Sequence, residues 1–312
     1  MRVGDLSLQA VAGSAAAAST VLVGLIVWKV IEGAWPSIVH YGVHFVWRIA
    51  WNPVLGREAY GAGSFLFGTA VTSLFALALA APLALGIALF LTELAPRVLR
   101  GPVTALVETL AAIPSVVIGL WGILVLGPVL RDHVEPALHG ALGFIPLFGP
   151  PGAGAGIFTA IVVLTIMILP IVSSITRELF LGVPHELKEG ALALGTTRWE
   201  MVRGVVFPYA RGGIAAALIL GLGRAVGEAI AVTQVIGGGV FIHWNLFDTG
   251  DTLASKIAGV YQGASTNLEV ASLVYLALIL LVFSLVANLA AQWIVRRGAR
   301  RHGGGMNRGG LG

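Results

Sequence analysis

The sequence predicts an all-α, polytopic membrane protein with six transmembrane helices, and three observations carry that reading. Hydrophobic residues make up 57% of the 312 residues and charged residues only 11%, against about 45–50% and about 25% in soluble domains. Apolar blocks recur from end to end with no gap of soluble-domain size between them, so residues 1–302 read as one membrane domain. Six blocks reach the roughly 20 residues needed to cross a hydrocarbon core of about 30 Å. Backbone in lipid must satisfy its own hydrogen bonds, which makes each of them a helix.

The first span is expected over residues 10–31. Arg2 before it and the Ala15 to Ala18 run inside it resemble a signal peptide, but apolar residues continue to Val27, so cleavage in mid-segment is not expected. After it, His40 and His44 stand at i, i+4, a spacing that a metal can use. They lie among Trp35, Tyr41, Phe45, Trp47 and Trp51, which reads instead as an amphipathic helix at the outer membrane interface, with no metal site. The remaining spans are expected over 64–91, 106–130, 157–176, 212–237 and 270–295. Pro82, Pro114 and Pro170 interrupt three of these and predict kinks or locally opened turns. The glycine-rich stretch Gly149 to Gly156, with Pro150 and Pro151, reads as a loop outside the membrane.

A polar segment, 177–211, separates the fourth span from the fifth. Pro184 and Glu186 suit the first turn of a helix, where the missing amide costs nothing and negative charge meets the positive end of the dipole. Gly195 suits its stop. Thr197 and Glu200 have the S/T-x-x-E spacing of a capping box, and Pro208 is expected to close the short helix that it opens. The expectation is a helix-turn-helix between spans, shaped to be gripped by another protein.

Orientation follows from the nineteen Lys and Arg residues. With the N-terminus inside, thirteen lie on the cytoplasmic side: Arg2, Arg97, Arg100, Arg177, Lys188, Arg198, Arg203, Arg211, Arg296, Arg297, Arg300, Arg301 and Arg308. Lys29, Arg48, Arg57, Arg131 and Lys256 lie outside, and Arg224 lies within a span. The positive-inside rule then places both termini and the helix-turn-helix in the cytoplasm. The pI near 9.8 is therefore topology and not a nucleic-acid footprint, since no Lys/Arg stripe interleaves with aromatics. Arg296, Arg297, Arg300 and Arg301 can lie against the anionic inner leaflet, and the tail 303–312 is expected to be flexible and solvated.

Enzymatic readings fail one by one. The chain has no cysteine, which removes disulfides, thiolate metal sites and thiol catalysis. His185-Glu186-Leu187-Lys188-Glu189 starts like the H-E-x-x-H zinc motif but has Glu at the second ligand. No G-x-S-x-G nucleophile elbow is present, and no G-K-[ST] follows the Gly149 stretch, so it is not a P-loop. Nothing in the chain is equipped to hydrolyse ATP, and no cofactor of its own is expected.

Arg224 and Glu228 stand out in the fifth span. An ionisable residue near mid-bilayer costs about 2.5–3.5 kcal/mol on insertion scales and is a functional candidate by default. The two are one helical turn apart and share a face with Ala217, Gly221, Gly227 and Ala231, small residues that suit close packing or an open cavity. A buried ion pair orienting two helices is the plainer reading, but Arg before Glu is the poorer order for an intrahelical pair. A guanidinium fork suits a tetrahedral oxyanion, and the neighbouring carboxylate can accept the hydroxyl proton of hydrogen phosphate, which would favour that ion over fully ionised sulfate.

The segment Glu189-Gly190-Ala191, Gly195 and Val205-Val206-Phe207-Pro208 resembles the EAA motif of ABC-importer permeases, E-A-A-x3-G-x9-I-x-L-P. Glu189, Ala191, Gly195 and Pro208 are in register, and Gly190, Val205 and Phe207 depart from it. The strings from Glu108 to Gly122 and from Gly221 to Glu228, with Trp51-Asn52-Pro53 and Phe65-Leu66-Phe67-Gly68-Thr69, resemble the phosphate-importer permeases of the PstC type, from about Trp51 to the end of the sixth span. The resemblance implies the type I ABC-importer permease fold in a prokaryotic cytoplasmic membrane. It implies inorganic phosphate import by alternating access, with Arg224 and Glu228 on the substrate pathway and Glu189, Gly190, Ala191, Gly195 and Pro208 coupling to the ATPase. It implies as partners a second phosphate permease in a heterodimer, an ABC ATPase dimer that binds ATP and Mg, an external phosphate-binding protein and membrane lipid, with no nucleic acid. Two alternatives stand beside it: a permease for sulfate, molybdate or another oxyanion, and an ATP-independent carrier or channel using Arg224 and Glu228 as its own relay.

Overall fold

The computed structural model describes residues 3–303. Ten helices and one short hairpin are used below: α1 (Val3–Tyr41), β1 (Trp51–Asn52) paired antiparallel with β2 (Ala59–Tyr60), α2 (Gly63–Leu94), α3 (Arg97–Ala112), α4 (Ser115–Leu142) and α5 (Ile157–Leu181), α6 (His185–Ala193), α7 (Arg198–Gly227), α8 (Ile230–Val235), α9 (Leu253–Val260) and α10 (Asn267–Gly303). Six are long and apolar enough to cross a bilayer: α1, α2, α4, α5, α7 and α10. The count matches the sequence expectation, and several boundaries do not.

The first span does not stop at residue 31. α1 runs unbroken through Pro36 to Tyr41, so His40 and His44 sit at its tip and in the 3-10 turn after it, not on a separate interfacial helix. The two histidines border a cavity with Tyr41, Phe45, Trp47 and Arg48. The third span is displaced. Ile113 is extended (ψ 126°), as the residue before a proline prefers, so the chain breaks at Pro114, α3 becomes a helix with no buried residue, and the crossing starts at Ser115. Pro82 and Pro170 lie inside continuous helices.

The fifth span is displaced too, and by a different device. Pro208 does not end the helix that starts at Arg198. Residues Val202–Val206 form a π turn in which the Phe207 N–H reaches back to the Val202 carbonyl, one residue further than an α turn, and this widening accommodates the missing amide of Pro208. The second helix of the expected helix-turn-helix is thus the first part of α7. The far end of α7 comes at Gly227: Glu228 is extended (ψ 118°), and its Oε1 accepts the Ala231 N–H at 3.3 Å, which caps α8. The region 212–237 is two helices.

α5 is the centre of the bundle, with 67% of its most apolar window buried, against 28% for α2 and none for α1. Ala76, Ala80, Ala84 and Ala88, all fully buried, form an alanine ridge at i, i+4 down α2. The ridge packs successively against residues of α5 and α7, including Leu164, Val172, Ala217 and Phe180. Lipid supplies no hydrophobic drive between helices, so close approach over small residues carries the contact. α1 joins the Asn267 end of α10, where Ser37 and Ser272 hydroxyls lie 3.1 Å apart beside Ala34 and Leu276.

A second, polar core closes the end of the bundle that carries the hairpin. The Leu253 N–H donates to Thr69 Oγ1 at 2.9 Å, joining α9 to α2. Thr252 and Ser255 form a capping box, and the Ser255 hydroxyl donates to Asp251. Lys256 lies 3.8 Å from Asp251 and over the rings of Trp51 and Phe65 at 5.2 and 5.3 Å. Burial pushes the Asp251 carboxyl above its ordinary range and the Lys256 ammonium below its own. A raised carboxyl holds its proton more tightly in the fold than in the unfolded chain, so its contribution to stability falls as pH rises from the ordinary Asp range through the raised value. Lys256 acts in the opposite sense, gaining as pH climbs from its lowered value to the ordinary Lys range. Asp251→Asn removes the first effect. The difference in Tm, wild type minus D251N, is expected to decrease as pH rises from about 4 to about 8 in detergent, and a flat difference would contradict this linkage.

Candidate functional site

Arg224 occupies the last turn of α7, and Glu228 lies just past its end. They do not share one helical face as the spacing implied, because Glu228 has left the helix, yet the turn keeps Arg224 Nη2 3.9 Å from Glu228 Oε2. That is a loose pair. The Glu228 side chain is 9% exposed and committed to α8, whereas the Arg224 side chain is 42% exposed and, among the described residues, makes no hydrogen bond to the protein. Its donors open into a cavity of about 710 Å³ lined by residues of α5, α7 and α10, including Ile171, Ala216, Leu220 and Gly223.

The small residues around the pair divide between two jobs. Gly221 faces inward, where a Cβ would meet Val172 Cγ2 at 2.8 Å, so it serves close packing against α5. Gly223 and Gly227 border the cavity, and a Cβ at Gly227 would meet nothing within 4 Å. Packing and cavity thus occupy adjacent sides of one helix.

Asn288 and Gln292 of α10 complete the lining and were missed in the sequence reading. Their signal was present: two amides at i, i+4 in an otherwise apolar span put donors and acceptors on one face. Neutral amides add hydrogen-bonding groups to the cavity without the desolvation cost of a further buried charge beside Arg224 and Glu228.

The second group of candidate residues lies at the opposite end of α7. From Arg198 to Arg224 the rise of about 1.5 Å per residue gives roughly 40 Å. α6 presents Glu189 and Gly190 to solvent with Ala191 half-buried. Gly195, at φ +83°, makes the left-handed turn that a side chain disfavours, and Thr197 and Glu200 form the expected capping box. Leu194 and Trp199 stand 87% and 64% exposed beside them, an apolar surface of the kind that partners cover. Glu189, Gly190, Ala191 and Gly195 are therefore together, while Pro208 lies further along α7, beyond the π turn.

Six helices long and apolar enough to cross a bilayer, a charged cavity between three of them, and an exposed helix and turn between two spans define an integral-membrane transport subunit. The chain belongs to the family of binding-protein-dependent transport system inner membrane components, which it matches over residues 80–300, and it is a multi-pass protein of the bacterial inner membrane and not an enzyme. It is 41% identical over 297 residues, 94% of this chain and 90% of the relative, to a phosphate transport system permease protein PstC of Mesorhizobium japonicum. It is 40% identical to the PstC of Pasteurella multocida, covering 90% of this chain and 88% of that one. It is 46% identical over 241 residues, 76% of this chain and 74% of the relative, to PstC 2 of Mycobacterium tuberculosis. Its fold is similar to a chain of a bacterial alginate ABC transporter, with a TM-score of 0.64 at 18% identity over 94% of this chain and 96% of that one. It is also similar to a chain of the inward-facing MetNI methionine ABC transporter, with a TM-score of 0.54 at 21% identity over 74% and 93%. The type I ABC-importer permease fold expected from the sequence is the fold found.

Proposed function

We propose that this chain is a permease subunit of an ATP-driven importer that moves inorganic phosphate across the cytoplasmic membrane by alternating access. The observation that carries the cargo is the cavity into which Arg224, only loosely paired with the nearly buried Glu228 carboxylate, turns its guanidinium. The end-to-end similarity to PstC proteins supports it. Arg224 supplies a fork for a tetrahedral oxyanion, and Glu228 accepts the proton of hydrogen phosphate, which disfavours sulfate and molybdate as cargo. Asn288 and Gln292 supply neutral hydrogen bonds on the facing helix.

The partners follow from the same reading. A second phosphate permease completes the pathway, an ABC ATPase dimer carrying ATP and Mg grips α6 and the Gly195 turn, and an external binding protein delivers phosphate. Both termini and α6 face the cytoplasm under the positive-inside rule. Glu189, Gly190, Ala191 and Gly195 form the coupling surface, and Pro208 supports it from within α7.

Proteoliposomes holding both permeases and the ATPase, supplied with the binding protein, are expected to accumulate phosphate only when ATP is present. Glu228→Gln is expected to weaken the preference for phosphate over sulfate, and unchanged transport and selectivity would remove the proton-acceptor role. Copurification without any ATPase, together with uptake independent of ATP, would favour a carrier or channel.

A further inference from the structure

Lys188 is the one buried residue of α6. A helix lying on the end of a bundle usually anchors itself with an apolar side chain, yet here the anchor is an ammonium. Its Nζ donates to Glu93 Oε1 at 2.6 Å and to the Phe180 carbonyl oxygen at 3.1 Å. The Lys188 and Glu93 side chains are 11% and 13% exposed. Glu93 stands in the π turn that ends α2, and Phe180 in the last turn of α5, where carbonyls lack intrahelical partners and attract positive charge. One side chain of the exposed helix therefore holds the ends of two spans.

We infer that the Lys188–Glu93 pair is a positioning strut that transmits displacement of α6 into α2. The inference rests on the reading of α6 as the ATPase-coupling element and names the residues that carry its motion inward. α6 is joined covalently to α7 through the left-handed turn at Gly195, so a push on α6 reaches α7 through the chain. Residues 182–184 join α6 to α5 in the same way, so without a further link only α2 would feel the push through side-chain packing alone. Lys188 supplies that link to α2 and ties it to the last turn of α5. The alanine ridge of α2 bears on α5 and α7, and α7 carries Arg224 at its other end, so relative movement of these spans reshapes the cavity.

The geometry distinguishes a strut from a plain anchor. Apolar replacement of a buried ion pair is often neutral for stability, so packing alone does not require charge at this position. A charged hydrogen bond is directional and short and keeps its partners in register as they move. Exchanging the two charges restores the α2 arm but sets a carboxylate against the Phe180 carbonyl, so it repairs only half of the link.

The test uses the assembled importer in proteoliposomes and reads phosphate transported per ATP hydrolysed. Lys188→Met and Glu93→Gln are expected to leave the ATPase bound and active while lowering that ratio by about two- to thirtyfold, the span of coupling changes carried by such networks. The exchange Glu93→Lys with Lys188→Glu is expected to recover part of the loss. A wild-type ratio in both single variants would overturn the strut while leaving the importer reading intact, as would parallel loss of hydrolysis and transport in an assembled complex. Should Lys188→Met fail to assemble, Glu93→Gln and the exchange decide the question alone. Wild-type protein that shows no ATP-driven uptake would overturn the importer reading and the strut with it.

Discussion

Arg224→Gln is expected to lower the initial rate of phosphate uptake at subsaturating concentration by about 10- to 100-fold, because hydrogen bonds to a charged group contribute about 1.5–3 kcal/mol each. Glutamine keeps a donor and much of the length but loses the positive charge and the planar fork. Arg224→Lys keeps the charge as a point and is expected to fall between the two, since a single ammonium does not bind an oxyanion in bidentate fashion. Neither change should disturb assembly: the Arg224 side chain is 42% exposed and only 3.9 Å at best from Glu228, so little packing is lost. Uptake in proteoliposomes, normalised to ATPase copurified with the complex, measures the effect. Wild-type uptake by Arg224→Gln would move the substrate site elsewhere.

Gly68→Ala is expected to cost substantial stability for a single added methyl group. Gly68 lies on the face of α2 that meets the segment before α9, and a Cβ there would collide with the Asp251 carbonyl oxygen. That oxygen is backbone, and its neighbours are held: Thr69 accepts from the Leu253 N–H, and Asp251 is tied to Ser255 and Lys256. Relief requires α2 and α9 to separate, and overpacking of this kind costs about 1–3 kcal/mol. Gly86→Ala in the same helix is the control, since a Cβ there would meet nothing within 4 Å. It is expected to be neutral or slightly stabilising, by up to about 1 kcal/mol. Thermal melting in detergent checks both. Equal Tm for Gly68→Ala and wild type would mean that the α2–α9 contact yields at little cost.

Much of the fold is legible in the chain because insertion into a bilayer is decided block by block, and each block carries its own hydropathy. The ends of the spans are less legible. Pro208 reads as a stop until a π turn before it absorbs the missing hydrogen bond. Glu228 reads as helical until its carboxylate is seen to cap the next helix. Ile113 and Pro114 held the needed signal, since the residue before proline is pushed out of the helical region, but the apolar run across them concealed the break. In the candidate site, Arg224 and Glu228 were conspicuous as charges in an apolar span, and Glu189 and Gly195 by spacing. Asn288 and Gln292 were legible in principle and overlooked.

The sequence by itself determined the solvent of this protein, the number of its crossings and the positions of its membrane charges, because each follows from the residue's own transfer energy. Only the tertiary structure decided which face of α7 packs through Gly221 and which opens at Gly227, that Arg224 and Glu228 pair only loosely, and that Lys188 meets Glu93 from 95 residues away. Those outcomes depend on which distant segments approach within a few ångströms, and short-range forces between them leave no periodicity in the chain to read.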